Sequence, residues 1–184
     1  MRRIAIDMDD VLADTLGALL EWARARHGIR LTPADLVGRE LGEAMGPEGA
    51  AAIAALLDEG SFFGGLPLIP GAVETVRELS RRDEIFVVSA ATQFAGSFTP
   101  KLRWLERHFP FIPADHVVFC GDKAIVDADY LVDDSLHRFP RFRGQGILFD
   151  APHNRAVTGL PRARSWAEVE ALLLAEEETG ASAA

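Results

Sequence analysis

The sequence contains a single cysteine, Cys120, among its 184 residues. One cysteine cannot form a disulfide within the chain, so the cysteine content gives no sign of an oxidising compartment. Long hydrophobic runs are also missing. No stretch approaches the roughly 20 apolar residues that span a bilayer, and the N-terminus lacks the roughly 7–15 apolar residues of a secretory signal. These absences predict a cytoplasmic protein that does not insert into a membrane.

Positive charge is scarce relative to negative charge. The chain has 19 Lys and Arg against 28 Asp and Glu, which gives a formal net charge of −9 at pH 7. Such a chain repels the phosphates of polymeric nucleic acid and of an anionic membrane surface, so we expect neither as a partner. A small phosphate compound remains compatible, because a metal ion or a few local cations can outweigh the overall charge inside a cleft.

Short apolar runs alternate with helical patterns along most of the chain. Continuous apolar runs are typical of strands covered on both faces, and their alternation with helices predicts a Rossmann-like parallel α/β sheet. The predicted strands are residues 3–6, 85–88, 117–119, 130–132 and 146–149. The predicted helices are residues 16–26, residues 49–58, a helix opened by Pro70-Gly71, a helix with Thr99 as N-cap that runs to His108, and a helix opened by Ser165.

The first predicted strand and the helix at Pro70 are more than fifty residues apart. This is too long for a crossover in a compact sheet. We therefore predict an α/β core formed by residues 1–14 and 69–178, with a small inserted helical cap at residues 15–68 that covers the strand ends. Residues 179–184 are predicted to be a frayed tail.

Polar residues follow the first four predicted strands. They are the pair Asp7 and Asp9, then Ser89, then Lys123, then the pair Asp133 and Asp134. The carboxyl ends of parallel strands meet in one crevice, so we expect these side chains to lie together. Paired carboxylates repel unless a cation neutralises them, and Mg²⁺ prefers oxygen ligands. Taken singly, each feature has an ordinary alternative, namely a helix cap, a solvated turn or a surface charge.

In the order acid pair, serine, lysine, acid pair, the chain resembles the haloacid dehalogenase superfamily of phosphotransferases. Within that superfamily it is similar to the 5′(3′)-deoxyribonucleotidases. The closer similarity rests on Asp7-Met8-Asp9-x-Val11-Leu12-Ala13-Asp14, on Phe62-Phe63 to Pro70-Gly71-Ala72-Val73-Glu74, and on Asp122-Lys123 leading into Ala128-Asp129-Tyr130-Leu131-Val132-Asp133-Asp134.

The resemblance implies a Mg²⁺-dependent phosphomonoesterase that dephosphorylates (deoxy)nucleoside monophosphates. Asp7 would be the nucleophile that forms an aspartyl-phosphate. Asp9 would protonate the leaving oxygen and later accept a proton from the hydrolytic water. Ser89 and Lys123 would hold the phosphoryl oxygens.

The metal site is also implied by the resemblance. Mg²⁺ would be bound by Asp7, by the backbone carbonyl of Asp9 and by Asp134. Asp133 would hold a ligand or a metal-bound water, or would replace Asp134 as the direct ligand. All five histidines are expected to lie outside the site.

Two positions depart from the family pattern. Thr15 stands where those relatives have an aromatic residue, which puts base stacking in question. Phe62, Phe63 and Phe94 are the nearest aromatic candidates for contact with a nucleoside, Phe62 and Phe63 foremost, with packing in a hydrophobic core as the alternative. Asp10 stands where a glycine is common, and we expect it to be compatible with the surface.

Two other functions compete with this interpretation. One is a phosphatase of the same superfamily that acts on another small metabolite phosphate. The other is a receiver-type phosphoacceptor domain, which uses similar residues in a different order, with the lysine last. The residues leave open whether the protein is a monomer or a homodimer, and whether it prefers deoxyribose or ribose, the 5′ or the 3′ position.

Overall fold

The computed structural model describes residues 1–181, with side chains described through Ala175. Six parallel strands form one sheet in the order β3-β2-β1-β4-β5-β6. The strands are β1 Arg3–Ile6, β2 Glu84–Ser89, β3 Val117–Phe119, β4 Tyr130–Asp133, β5 Gln145–Phe149 and β6 Arg162–Ala163. The parallel α/β sheet is confirmed, and the five predicted strands are correct to within one residue at each end. The prediction missed β6, which has two residues and no hydrophobic pattern to reveal it.

Alternate residues of strands β1 to β5 enter two different hydrophobic cores, because side chains alternate across a sheet. On one face, Ile4 and Ile6 of β1 pack with residues of three helices that lie along the sheet. On the other face, Ala5 of β1 packs with Phe139 and Phe142 from the connection between β4 and β5. Burial on both faces explains why the strands read as continuous apolar runs.

Five α-helices accompany the sheet in the described part of the chain. They are α1 Thr15–His27, α2 Leu41–Glu59, α3 Ala72–Leu79, α4 Phe98–His108 and α5 Trp166–Ala181. None of them is long and apolar enough to cross a membrane. The predicted tail at residues 179–184 falls partly on α5, which extends to Ala181, and residues 182–184 lie outside the described residues.

Two predicted helix starts are wrong. Helix α4 begins at Phe98 with Ser97 as its N-cap, two residues earlier than the predicted N-cap Thr99. Pro100 still fits, because backbone N–H groups in the first turn of a helix have no partner within it. Helix α2 begins at Leu41, and Gly46 interrupts it with a φ of 76°. Because this residue has a positive φ and lies just before Pro47, the helical periodicity of the sequence is broken there, and the first part of the helix was not predicted.

The segment between β1 and α3 is helical. It contains α1, a 3₁₀ turn at Pro33–Leu36, α2 and a 3₁₀ turn at Ser61–Gly65. Residues of α1 and α2 form a small hydrophobic core of their own around Leu36, Leu41 and Ile53. The end of the segment instead packs against the sheet, where Phe63 and Leu66 join the main core. Trp104 of α4 anchors this end, because its Nε1 donates a hydrogen bond to Leu66 O over 2.8 Å.

Candidate active site

The turn after β1 brings two acids to the same side. The backbone N–H groups of Leu12 and Ala13 both donate to Met8 O at 2.9 Å, so the chain curls immediately after the strand. Met8 is fully buried in the main core, and Asp7 and Asp9 point away from that core toward the ends of β2 and β4. The strand order explains this meeting place, because β1 lies between β2 and β4.

Lys123 joins the first acid to the last pair. Its ammonium lies 2.6 Å from Asp7 Oδ1 and 2.6 Å from Asp133 Oδ2, and the residue is 2% exposed. Burial alone would lower the pKa of this lysine, but the carboxylates of Asp7 and Asp133 outweigh burial and raise it. Lys123 therefore stays charged in the interior, where a phosphoryl group beside Asp7 would meet it.

A second buried lysine, Lys101, lies on the opposite side and was missed by the sequence analysis. Its ammonium contacts Asp9 Oδ2 and donates a hydrogen bond to Ser89 Oγ at 3.0 Å. Ser89 Oγ in turn lies 3.4 Å from Asp9 Oδ2. The sequence carried a signal for it, since only two of the 19 basic residues are lysines. Lys101 also shares the buried face of α4 with Trp104 and Leu105 at helical spacing.

Three of these acids form a group able to hold a metal ion. Each of Asp7, Asp133 and Asp134 offers one carboxylate oxygen, and these oxygens lie within 4.8 Å of one another. The pKa of Asp7 rises to about 7 because burial disfavours its charge, and Asp133 and Asp9 add to the rise against the effect of Lys123. The Lys123 ammonium is close to Asp7 Oδ1 but outside hydrogen-bond geometry, and no other described residue donates a hydrogen bond to this buried oxygen. A divalent cation would relieve this crowding, and an all-oxygen donor set fits such a cation.

Asp133 and Asp134 have different contacts. Both oxygens of Asp133 are engaged, one by Lys123 and the other by the backbone N–H of Ser135 at 2.8 Å. Asp134 has looser contacts, with Ser135 Oγ at 3.4 Å and His153 Nε2 at 3.6 Å from its carboxylate. Burial raises the pKa of Asp134 well above its usual range, and the neighbouring carboxylates add to the rise. This geometry favours Asp134 over Asp133 as a direct metal ligand.

Asp10, which we expected to be compatible with the surface, is half-buried beside the other acids. It has a φ of 55°, and its carboxylate accepts a hydrogen bond from Leu16 N at 2.7 Å. The positive φ explains why glycine suits this position, and the bond to the start of α1 explains how an aspartate can occupy it. Burial raises the pKa of Asp10 to about 7. Its charge also contributes to the raised pKa of Asp134, so this substitution adds an acid to the site.

The aromatic candidates occupy different environments. Phe63 is 2% exposed, and Lys101 Nζ lies 4.4 Å from the centre of its ring, which favours packing over base stacking. Phe62 is only partly buried, with its ring edge-on to Phe63 at 5.6 Å. Thr15 uses its hydroxyl to donate a hydrogen bond to Asp9 Oδ1 at 3.2 Å. The residue that replaces the family's aromatic side chain therefore contacts the second acid directly.

A polar cavity of about 130 Å³ lies next to the acids, between the helical segment and the sheet. Arg39, Glu40 and Leu41 line it from the helical side, and Asp134 and His153 line it from the sheet side. No aromatic ring other than the His153 imidazole lines this cavity among the described residues. Its walls are suited to hydrogen bonding more than to stacking.

Solved structures with a similar fold come from the haloacid dehalogenase (HAD) superfamily. A HAD family hydrolase from Deinococcus radiodurans R1 with bound phosphate and sodium has a TM-score of 0.62 and 16% identity, covering 94% of this chain and 95% of its own. The HAD-hydrolase YfnB from Bacillus subtilis, bound to magnesium, has a TM-score of 0.55 and 16% identity, covering 94% and 98%. At such low identity these similarities show the fold alone, and the predicted fold class is confirmed.

Sequence relatives are much more similar. The 5′(3′)-deoxyribonucleotidase of Bacillus subtilis is 37% identical over 171 residues, covering 93% of this chain and 98% of the relative. A Staphylococcus epidermidis protein is 39% identical over 169 residues, covering 92% and 94%. The family described as 5′ nucleotidase, deoxy (pyrimidine), cytosolic type C protein matches residues 2–178. The resemblance seen in the sequence is confirmed, and the chain belongs to this family of 5′-nucleotidases.

Proposed function

We propose that the protein is a Mg²⁺-dependent phosphomonoesterase of the cytosol that hydrolyses (deoxy)nucleoside monophosphates. The observation that carries this proposal is the meeting of Asp7, Asp9, Ser89 and Lys123 at one end of the sheet. Membership of the 5′-nucleotidase family and the name of the Bacillus subtilis relative support the substrate class.

In the first half-reaction a carboxylate oxygen of Asp7 attacks phosphorus. The new P–O bond makes an aspartyl-phosphate, and the bond between phosphorus and the nucleoside oxygen breaks. Asp9 donates a proton to that departing oxygen. Ser89 and Lys123 bind the other phosphoryl oxygens and hold the group in line with Asp7.

In the second half-reaction water attacks the phosphorus of the aspartyl-phosphate. Asp9, now a carboxylate, accepts the proton of that water, and the P–O bond to Asp7 breaks to release inorganic phosphate. The hydrogen bond from Thr15 and the contact with Lys101 hold the two oxygens of Asp9 in fixed positions for both proton transfers.

Asp7, Asp134 and the backbone carbonyl of Asp9 would hold Mg²⁺, while Asp133 keeps Lys123 in place. When bound, the ion would neutralise charge on the phosphoryl oxygens and on the acids around them. Asp7 attacks phosphorus in its ionised form, which a neighbouring cation would favour.

The helical segment at residues 15–68 would act as a cap that selects the leaving group. Every proposed catalytic side chain belongs to the sheet side, whereas the cavity beside Asp134 is completed by Arg39 and Glu40 of the segment. A nucleoside that leaves from Asp7 would extend into this space, and Phe62 is the more accessible of the two aromatic candidates. The cap would also exclude bulk water from the phosphoryl group.

A turnover screen tests this proposal. Inorganic phosphate release is measured with Mg²⁺ over ribo- and deoxyribonucleoside 5′- and 3′-monophosphates, sugar phosphates and p-nitrophenyl phosphate. We expect nucleoside monophosphates to have the highest kcat/KM. Turnover of a sugar phosphate with no turnover of any nucleotide would refute the substrate class and leave the phosphatase chemistry standing. No turnover of any ester would refute both.

A further inference from the structure

Lys101 is a buried lysine, whereas most lysines lie on the protein surface. The residue is 3% exposed, and its ammonium has Asp9 and Ser89 on one side and the face of the Phe63 ring on the other. A buried ammonium loses most of its hydration, so a charged lysine is stable in the interior only where charged or polar groups replace the water. Its two polar partners both belong to the proposed phosphate site.

The contact with Ser89 determines how that hydroxyl can be used. Lys101 Nζ donates to Ser89 Oγ at 3.0 Å, so the oxygen is already an acceptor. An ammonium has no lone pair, so the Ser89 hydrogen must be directed elsewhere. In the structure the nearby acceptor is Asp9 Oδ2, 3.4 Å away, a long contact that a phosphoryl oxygen can replace. Lys101 thus prepares Ser89 to donate to phosphate.

The charge around the site provides a second, independent reason. Asp7, Asp9, Asp10, Asp133 and Asp134 crowd one edge of the sheet, and a phosphate dianion that enters would be repelled by them. Lys123 compensates Asp7 and Asp133. On the Ser89 side, Lys101 is the cation in contact with Asp9.

We propose that Lys101 is a positioning residue of the phosphate site, which orients the Ser89 hydroxyl and supplies a positive charge beside Asp9 so that a phosphate dianion can bind there. This proposal rests on the proposed phosphatase function. It adds a second lysine, on a different element from Lys123, to the residues that determine phosphate affinity. Lys101 acts through Ser89 and Asp9, and Phe63 closes the space behind its ammonium so that it cannot turn away.

The test compares Lys101→Met with the wild-type protein, using inorganic phosphate as the probe. Methionine is unbranched and nearly as long as lysine, so it fills most of the same space beside Phe63, but it removes the charge and the donor. The inhibition constant of phosphate is measured against p-nitrophenyl phosphate hydrolysis, together with KM for that ester and for a deoxynucleoside monophosphate. We expect all three constants to rise by about tenfold or more, because a charge a few ångströms from a dianion is removed from a dry site.

The inhibition constant does not depend on how much of the sample is active. A lysine that only supports the fold would lower kcat and the melting temperature and leave the phosphate constant unchanged, and that result would overturn the proposal. The half-saturating Mg²⁺ concentration should stay within about threefold, because Lys101 contacts the side chain of Asp9 and not its backbone carbonyl, the group that would bind the ion. Arg103→Met, which removes an exposed charge from the same helix, is the matched control and should change none of these constants.

A second pair of variants covers the case in which Lys101→Met does not fold. Lys101→Gln keeps a donor without the charge, and Lys101→Arg keeps both. The phosphate constant should rise more for glutamine than for arginine, and equal constants would overturn the proposal. The failure of the proposed substrate would look different. In that case the wild-type protein would hydrolyse p-nitrophenyl phosphate and no nucleotide, while the comparison of phosphate constants would still be measured.

Discussion

Replacing Asp7 by asparagine should abolish turnover and, without metal, make the folded protein more stable at pH 8. Activity should fall below about 1% of wild type, because an amide cannot attack phosphorus. The gain in stability follows from the crowding of acids around Asp7, which the protein tolerates only for the sake of binding a cation and attacking phosphorus. Catalytic and stability effects of opposite sign are typical of residues held in strained active-site environments.

The size of the gain follows from the pKa of Asp7, which rises from 3.8 to about 7 on folding because the carboxyl is buried. Between these values the folded state binds more protons at Asp7 than the unfolded state does, so stability falls as the pH rises. At about 1.4 kcal/mol per pKa unit, wild type should lose about 2.6 kcal/mol through this carboxyl between pH 5 and pH 8, most of it below pH 7. Asparagine does not titrate and avoids this loss.

The assay is thermal unfolding of wild type and Asp7→Asn in EDTA at pH 5 and pH 8. The advantage of the variant should be larger at pH 8 than at pH 5 by about 5–10 °C, given roughly 2–4 °C per kcal/mol for a chain of this length. Adding Mg²⁺ should raise the melting temperature of wild type and leave the variant nearly unchanged. A difference between the two proteins that does not vary with pH would refute the reasoning. Mass spectrometry must exclude deamidation before residual activity is interpreted.

Three further predictions concern the metal, the cap and the fold. EDTA should abolish activity and Mg²⁺ should restore it. The protein should bind the metal more weakly at pH 6 than at pH 8, because protons compete with the metal for Asp7. Activity that persists in excess EDTA would show that the acids are not a metal site. Phe62→Leu should raise KM for nucleotides by about tenfold and leave p-nitrophenyl phosphate unaffected if the ring stacks on the base, whereas equal changes for both esters would assign it to packing. Trp104→Phe should lower the free energy of unfolding by about 1–3 kcal/mol in denaturant titrations, because Leu66 O loses its buried donor, and an unchanged midpoint would contradict this.

The sheet and its active edge could be predicted from the sequence because their determinants are local. Each strand is an apolar run buried on both faces, and each run ends in the polar residue that reaches the crevice. Since parallel strands share one carboxyl edge, Asp7, Ser89 and Asp133 were placed together without knowledge of the strand order. Their meeting follows from the fold class alone.

Other features depended on contacts between distant parts of the chain. Lys101 reads as an ordinary lysine near the start of a helix until α4 packs its buried face against the site, where Asp9 is 92 residues away in sequence. Asp10 reads as a surface acid until the turn after β1 gives it a positive φ and turns its carboxylate toward Leu16 N. The sequence by itself determined the strands, the edge of the sheet at which the catalytic side chains lie, and the family to which the chain belongs. Only the tertiary structure decided which charges face one another there, because burial and the approach of a partner are properties of the packed chain rather than of any local segment.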